Sequence, residues 1–178
     1  MTMTRPREGD YPGYCQGYVG LVPETDILGA LEGQLDLARS LSTLVPAAQE
    51  HFSYASGKWT IREVAGHVGD CERVFGFRAM AFSRLEASSL PGFDESAYVA
   101  NARFDGRSLA DLSDEFVLLR QGNLRMLRGL SEPQWDRAGI ANGHSITVRA
   151  LAFIMVGHLR HHLALLRDHY GVAIGAPR

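Results

Sequence analysis

The stretch from Thr147 to Tyr170 reads TVRALAFIMVGHLRHHLALLRDHY, and its pattern of apolar residues predicts one long helix. Along one face the apolar positions recur every three or four residues, except that two of them hold histidine, His158 and His162. These histidines are four residues apart, so their side chains project from the same face one turn apart. Two histidines are therefore predicted on the helix face that packs into the core.

A third histidine has an equivalent position on an earlier predicted helix. His67 lies on an apolar stripe that includes Val64, Val68 and Cys71. Two histidines one turn apart and a third from a facing helix form the open three-ligand pattern of catalytic zinc sites. Cys71, one turn after His67, is either a fourth ligand or a small buried residue. The histidines themselves are either ligands of one divalent metal or core residues hydrogen-bonded to their neighbours.

Four segments of helical periodicity predict an all-α four-helix bundle. The predicted helices cover residues 26–44, 60–85, 108–130 and 147–170. The connection between the second and third helices is long enough to hold a short extra helix within residues 93–104. We therefore expect one domain at residues 26–171, preceded by an N-terminal extension (1–25) and followed by a C-terminal tail (172–178).

Local signals set the predicted helix ends and argue against strands. Thr60 and Glu63 form a capping box at the start of the second helix. The Ser-Glu-Pro segment at Ser131 is expected to end the third helix. No segment shows sustained alternation of apolar and polar residues, and Asn142-Gly143 is placed in a loop and not in a hairpin.

Composition restricts the classes of partner. The chain has 178 residues, a formal net charge of -2 and a pI near 6.4, so no positive excess favours nucleic acid or an anionic membrane surface. No apolar run approaches the ~20 residues of a membrane-spanning helix, and residues 1–10 are too polar for a signal peptide. With only Cys15 and Cys71, a disulfide scaffold is not expected, and a reducing cytoplasm is the predicted compartment.

Three motifs, taken in order along the chain, resemble a known family. They are KWTIREVAGH (Lys58–His67), PGFDE (Pro91–Glu95) and GHLRHH (Gly157–His162). Their order and spacing resemble the DinB/YfiT-like family of metal-dependent enzymes over roughly residues 26–170. The resemblance implies an up-down-down-up four-helix bundle with a long crossover, and frequent homodimers. It also implies a zinc or nickel site formed by His67, His158 and His162.

A metal-dependent hydrolase that activates water at the three histidines is the function predicted first. A bound metal lowers the pKa of water towards neutrality. A base is still needed nearby, and the candidate catalytic residues are Asp94 and Asp70, with Glu95 beside them. Asp94 and Glu95 have the alternative explanation of capping a helix. The segment from His158 to His162 lacks the glutamate of the HExxH motif, which disfavours a zincin-type peptidase.

Two alternatives stay open. Relatives in the family include transferases and isomerases that use a low-molecular-weight thiol. For that chemistry, Arg73, Arg78 and Arg149 are candidate contacts to polar groups of the cosubstrate, or else surface charges. The other alternative is a non-catalytic metal-binding module whose site is closed by four protein ligands. In both enzyme classes the partner is a small-molecule substrate.

Overall fold

The structure is a computed structural model that describes residues 3–175. Its helices are α1 (Gln16–Gly20), α2 (Ile27–Leu44), α3 (Ile61–Ser83), α4 (Glu95–Ala102), α5 (Leu109–Arg128), α6 (Glu132–Trp135) and α7 (Val148–Tyr170). Two antiparallel strands, β1 (Ala138–Ala141) and β2 (His144–Thr147), precede α7. Residues 1–2 of the predicted extension and 176–178 of the predicted tail lie outside the described residues. Within residues 3–175, no helix is both long enough and apolar enough to span a bilayer.

The four long helices, α2, α3, α5 and α7, pack as an up-down-down-up bundle, which confirms the predicted fold class. α3 and α5 run parallel, since Glu72 bonds to Arg120 and Gly76, one turn later, lies against Asn123. Parallel neighbours cannot be joined by a short turn, and the crossover that contains α4 supplies the long connection. α7 runs antiparallel to α3, so the second half of α7 faces the first half of α3.

Helix starts follow the predicted capping residues closely. The Thr60 hydroxyl accepts a hydrogen bond from the Glu63 amide at 3.2 Å, and the Glu63 carboxylate accepts one from the Thr60 amide at 2.7 Å. This confirms the capping box and fixes the N-cap of α3 at Thr60, seven residues before His67. The periodicity of α3 therefore starts from a fixed position, and His67 faces inward as predicted.

Two local predictions are wrong. Ser131 does not end a helix: α5 stops at Arg128, and Ser131 is the N-cap of α6 with a capping box of its own. Asn142 and Gly143 form a hairpin turn with φ values of 51° and 75°, the positive values that a type I′ turn requires. The two strands have four residues each, which is too short for an alternating pattern to stand out.

A buried polar network connects the four long helices. The Arg120 guanidinium on α5 donates from Nε to Oε1 of Glu72 at 2.8 Å and from Nη2 to Oε2 at 3.0 Å. Its Nη1 donates to Oε1 of Gln34 on α2 at 2.7 Å, and its Nη2 lies 3.3 Å from the Met155 carbonyl on α7. One charged side chain thus bonds to all three of the other long helices at the same level of the bundle.

The N-terminal segment packs on the bundle beside α7. Met3, Val19 and Val22 are buried there. α1 crosses α7 at Gly157 so closely that a Cβ at this position would collide with the Tyr18 carbonyl. This close approach brings the Tyr18 ring against the histidine-bearing part of α7.

Replacing Gly157 with alanine is expected to lower the free energy of unfolding by about 1–3 kcal/mol, because the methyl group forces the α1 backbone away from α7. Gly122→Ala is the matched control, since Gly122 lies within α5 with nothing within 4 Å of an added Cβ. There the change is expected to be neutral or to stabilise by up to about 1 kcal/mol. Urea denaturation measures both. Equal effects would contradict the close approach of α1.

Candidate metal centre

Three histidines from two helices meet in the interior of the bundle. His67 on α3 and His158 and His162 on α7 are all buried, at 2%, 4% and 6% exposure. Nε2 of His158 lies 3.3 Å from Nε2 of His67 and 3.2 Å from Nε2 of His162. Nε2 of His158 therefore lies close to a ring nitrogen of each of the other two histidines.

These separations suit a single metal ion. Zinc binds imidazole nitrogen at ~2.0–2.1 Å, so two nitrogens bound to one tetrahedral zinc are ~3.3 Å apart. Hydrogen bonds explain the cluster less well, because one ring nitrogen carries either a single N–H or a single lone pair. Nε2 of His158 consequently cannot form a full hydrogen bond with both neighbours. A cation shared by two neighbouring imidazoles satisfies the lone pairs of both rings.

The three imidazoles are neutral near pH 7. Burial, with a smaller contribution from neighbouring histidines, lowers the pKa of His67 to about 4 and that of His162 to about 3. The pKa of His158 lies well below its usual value for the same reasons. A neutral imidazole keeps the lone pair that a metal binds, so the donors are ready without losing a proton.

Cys71 adds a fourth potential ligand. Its Sγ lies 3.6 Å from Nε2 of His67, and potential ligand atoms of His67, Cys71 and His158 lie within 4.8 Å of one another. The two possible triplets share His67 and His158 and differ in whether His162 or Cys71 is the third member. Burial, followed by the charge of Glu95, raises the pKa of the Cys71 thiol far above its usual range.

Aromatic rings enclose the histidines. The Trp59 ring centroid lies 4.8 Å from that of His67. The rings of Tyr18 and Phe75 each lie 5.4 Å from the His158 ring, both at steep angles. These rings keep water from much of the cluster, which strengthens electrostatic interactions inside it.

The second ring nitrogen of His162 has no hydrogen-bond partner among the described residues. The same is true of the Ser113 hydroxyl, and both groups are buried. Both residues line a cavity of about 30 Å³ within the bundle, close to the volume that one water molecule occupies. A metal-bound histidine normally donates its other N–H to a polar group, and the Ser113 hydroxyl is the polar side chain that shares this cavity.

A larger cavity, of about 280 Å³, lies beside His158. Its wall combines the N-terminal segment, α3, the crossover, the hairpin and α7. The polar residues in the wall include Tyr14, Tyr18, Arg78, Glu95, Asn142 and His158. The histidine cluster thus borders a space in which a small molecule can bind.

The order of motifs along this bundle has a counterpart among known proteins. The sequence pattern of the DinB superfamily matches residues 30–166, which include all three histidines. The chain belongs to the DinB superfamily. Among functionally curated proteins, none matches the chain.

Solved structures that resemble this DinB protein include two from Bacillus subtilis. One is YfiT from Bacillus subtilis, described as a probable metal-dependent hydrolase with an unusual four-helix bundle topology. It is 20% identical with a TM-score of 0.69, over 96% of this chain and 95% of YfiT. The other is YjoA, a DinB-like protein from Bacillus subtilis, 16% identical with a TM-score of 0.58 over 84% of this chain and 95% of YjoA. At these identities the likeness shows the fold.

The predicted bases occupy different places in this DinB fold. Glu95 lines the cavity beside His158. Asp94 caps α4, where its Oδ1 accepts a hydrogen bond from the Ala97 amide at 3.0 Å. Asp70 pairs with Arg73 on α3, and neither aspartate lines the cavity.

The three predicted arginines also occupy different places, two in ion pairs and one at the cavity. Arg73 forms ion pairs with Asp70 and Glu115, and Arg149 forms one with Asp136. Arg78 lines the cavity beside His158. The candidates predicted from the sequence therefore include Glu95 and Arg78, which line this cavity, but nothing in the sequence distinguished them from the residues in surface ion pairs and helix caps.

Tyr18 is the site residue that sequence analysis missed. It lies in the segment predicted as an extension, yet its ring contacts both His158 and His161. The available signal was the spacing of Tyr14 and Tyr18, one helical turn apart, and both residues line the DinB cavity. That signal is weak because a short tyrosine-containing turn occurs in many unrelated segments.

Proposed function

We propose that this DinB protein is a metal-dependent hydrolase in which His67, His158 and His162 hold a divalent metal, zinc or nickel. The observation that carries the proposal is the grouping of three neutral, buried imidazoles around Nε2 of His158, a residue that lines a cavity. The description of YfiT as a probable metal-dependent hydrolase supports the reaction class.

His162 is a better third ligand than Cys71. Nε2 of His162 is 3.2 Å from Nε2 of His158, the separation of two ligands on one zinc. Its imidazole is already neutral, whereas the Cys71 thiol must lose a proton before it binds. Because burial raises the pKa of that thiol, the loss is costly. Three histidines also leave a coordination position open, which a catalytic site requires.

The chain itself supplies the proton transfer. A divalent metal on imidazole ligands supplies Lewis-acid chemistry, polarising the substrate and making water more acidic at neutral pH. Glu95 lines the same cavity as His158, and its carboxylate accepts the proton of the attacking water. Partial desolvation and the adjacent Asp94 raise the pKa of Glu95, which makes it a stronger base. The proton then passes to the leaving group as the ester or amide bond breaks.

Metal-dependent turnover tests the proposal. Protein purified without a nickel column is stripped with a chelator, reconstituted with zinc or nickel, and assayed against 4-nitrophenyl esters and anilides with and without glutathione. We expect hydrolysis only after reconstitution and independent of the thiol. A product that forms only with glutathione and contains its sulfur would assign a thiol-dependent transferase. Metal binding without turnover of either kind would favour a non-catalytic module.

Replacing Glu95 with glutamine is expected to lower kcat by about 100-fold or more while the metal content stays unchanged, because the amide cannot accept the proton. Asp94→Asn is the matched variant on the neighbouring residue. Asparagine caps a helix as well as aspartate does, so kcat is expected to stay within about twofold of wild type. Steady-state kinetics at saturating metal measure both. A loss confined to Asp94→Asn would move the base role to Asp94.

A further inference from the structure

Two arginines are buried among the described residues, and their charges are balanced differently. Arg120 is 0% exposed and pairs with Glu72 through two hydrogen bonds. Arg78 is 8% exposed, and its side chain makes one hydrogen bond, from Nη2 to the Pro91 carbonyl at 3.0 Å. Within residues 3–175 no carboxylate forms an ion pair with it. A buried charge without a counter-charge is costly, so the position of Arg78 requires an explanation.

The cavity beside His158 supplies that explanation. Arg78 is part of its wall, and a guanidinium has five N–H donors, of which the protein satisfies one. Burial lowers the pKa of Arg78, yet an arginine keeps its charge in proteins. A fixed positive charge with free donors therefore lies at the cavity, where a bound anion can complete its hydrogen bonds.

We propose that this cavity binds a small ligand through a carboxylate group, which Arg78 holds by charge-assisted hydrogen bonds. This carboxylate ligand is the substrate class of the proposed hydrolase, and the claim that the bound ligand is hydrolysed rests on that proposed function. The two oxygens of a carboxylate match the fork of a guanidinium. A phosphate dianion suits the cavity less well, because Glu95 in the same wall offsets part of the positive charge.

The distance between Arg78 and the histidines sets how far the carboxylate of the ligand lies from the bond that is cleaved. Arg78 follows His67 by 11 residues on α3, which is about 16 Å along the helix axis. Long side chains lean towards the N-terminus of their helix, so the guanidinium reaches part of the way back towards the histidines. A ligand held at one end by Arg78 therefore extends towards His158, past the apolar side chains of Leu151 and Ile154.

The resulting substrate class is a short carboxylate-bearing ester or amide. The cavity of about 280 Å³ lies just below the ~300–1,000 Å³ usual for ligand sites, so it suits a small molecule. The apolar side chains of Leu151 and Ile154 in its wall suit a short hydrocarbon segment between the charged end and the bond that is cleaved.

Calorimetric titration with hexanoate, its neutral analogue hexanamide, and pentyl phosphate tests the inference without turnover. Wild type, Arg78→Met and Arg84→Met are compared, each as metal-free and zinc-loaded protein. Arg84 is the matched control because it is an exposed arginine just after α3. We expect wild type to bind hexanoate at least tenfold more tightly than hexanamide. Arg78→Met should remove that preference and leave hexanamide within about twofold, and Arg84→Met should change neither.

Equal binding of hexanoate and hexanamide to wild type would overturn the inference. So would tighter binding of pentyl phosphate than of hexanoate. Hexanoate binding that requires zinc and survives Arg78→Met would place the carboxylate on the metal and leave the proposed hydrolase intact. Conversely, an Arg78-dependent preference in metal-free protein supports the inference even if no hydrolysis is found.

Stability distinguishes a ligand contact from a structural role. Because Arg78 forms no ion pair within the described residues, Arg78→Met is expected to leave the unfolding midpoint unchanged or to raise it. Arg78→Lys keeps the charge and loses the fork, so it is expected to bind hexanoate with intermediate affinity. A lysine variant that folds normally and binds hexanoate more tightly than the methionine variant but less tightly than wild type supports a role for the fork. A lysine variant equal to wild type would overturn the proposed hydrogen-bond geometry.

Discussion

Replacing Glu72 with alanine is expected to lower the free energy of unfolding by about 3–5 kcal/mol, because the Arg120 charge is left buried without a counter-charge. Both residues are at most 2% exposed, so water does not reach the site to replace the carboxylate. The substitution also removes one of two acceptors of Asn123, whose Nδ2 donates to Oε1 of Glu72 at 2.9 Å as well as to the Glu72 carbonyl. Equilibrium urea denaturation measures the change.

Glu115→Ala is the matched control for this prediction. Glu115 on α5 also pairs with arginines, Arg73 and Arg107, but its side chain is 32% exposed. Its removal is expected to cost less than about 1 kcal/mol, since solvent screens such pairs. The double variant Glu72→Leu with Arg120→Met removes both buried charges and is expected to recover much of the lost stability. Similar costs for the two glutamates would contradict the role assigned to burial.

Helical spacing was sufficient to predict that the three histidines face inward. The side of a helix on which a residue lies depends only on local sequence, and the stripes that carry His67, His158 and His162 are each visible within a few turns. The distances between their nitrogens depend instead on how α3 packs against α7. That packing is a property of the whole bundle. Helical spacing alone therefore could not distinguish metal ligands from core histidines that are hydrogen-bonded to their neighbours.

Helical spacing did not predict that Glu72 and Arg120 are buried. By polarity both residues belong on the surface, and sequence analysis assigned neither a place in the core. Arg120 follows Phe116 by one turn on the buried face of α5, but its partner is 48 residues earlier in the chain. A buried charge is tolerated only when such a partner is present. Whether one is present cannot be predicted from one helix at a time.

The cavity was beyond sequence analysis for a related reason. Its wall is assembled from segments that the sequence separates, among them Tyr18 of α1, Arg78 of α3 and Glu95 of α4. The hairpin that contributes Asn142 was itself predicted as a loop. In the sequence, Arg78 looks like Arg73, which forms a surface ion pair. Likewise, Glu95 looks like Asp94, which caps a helix. Only tertiary packing distinguishes the members of each pair.

Replacing His158 with alanine is expected to weaken zinc binding by more than 100-fold, since losing even an outer-sphere partner of a metal ligand costs about 10–100-fold. Its Nε2 lies within 3.3 Å of Nε2 of both His67 and His162, so the substitution removes the ligand common to both possible triplets. Competition with a chromogenic chelator measures the affinity. His161→Ala, a change at an exposed neighbouring histidine, is the control and should bind zinc like wild type.

The thermal shift on adding zinc gives a second measurement of the same prediction. The midpoint itself falls in any case, because alanine leaves a cavity where the imidazole was. Zinc at 100 times its Kd adds about 2.7 kcal/mol, which is about 5–10 °C for a chain of this size. Wild type and His161→Ala should show this shift and His158→Ala should not. A full shift in His158→Ala would contradict the site.

His162→Ala and Cys71→Ser then identify the third ligand. We expect His162→Ala to lose zinc affinity as His158→Ala does, and Cys71→Ser to stay within about threefold of wild type. Proton release provides a test that does not depend on substitution. At pH 6 the three imidazoles are already neutral and a zinc-bound water with a pKa of ~7 keeps most of its proton, so zinc binding through them releases almost none, whereas ligation by the protonated Cys71 thiol releases one per zinc. Titration calorimetry in buffers of different ionisation enthalpy counts that proton, and a value near one would assign the site to His67, Cys71 and His158.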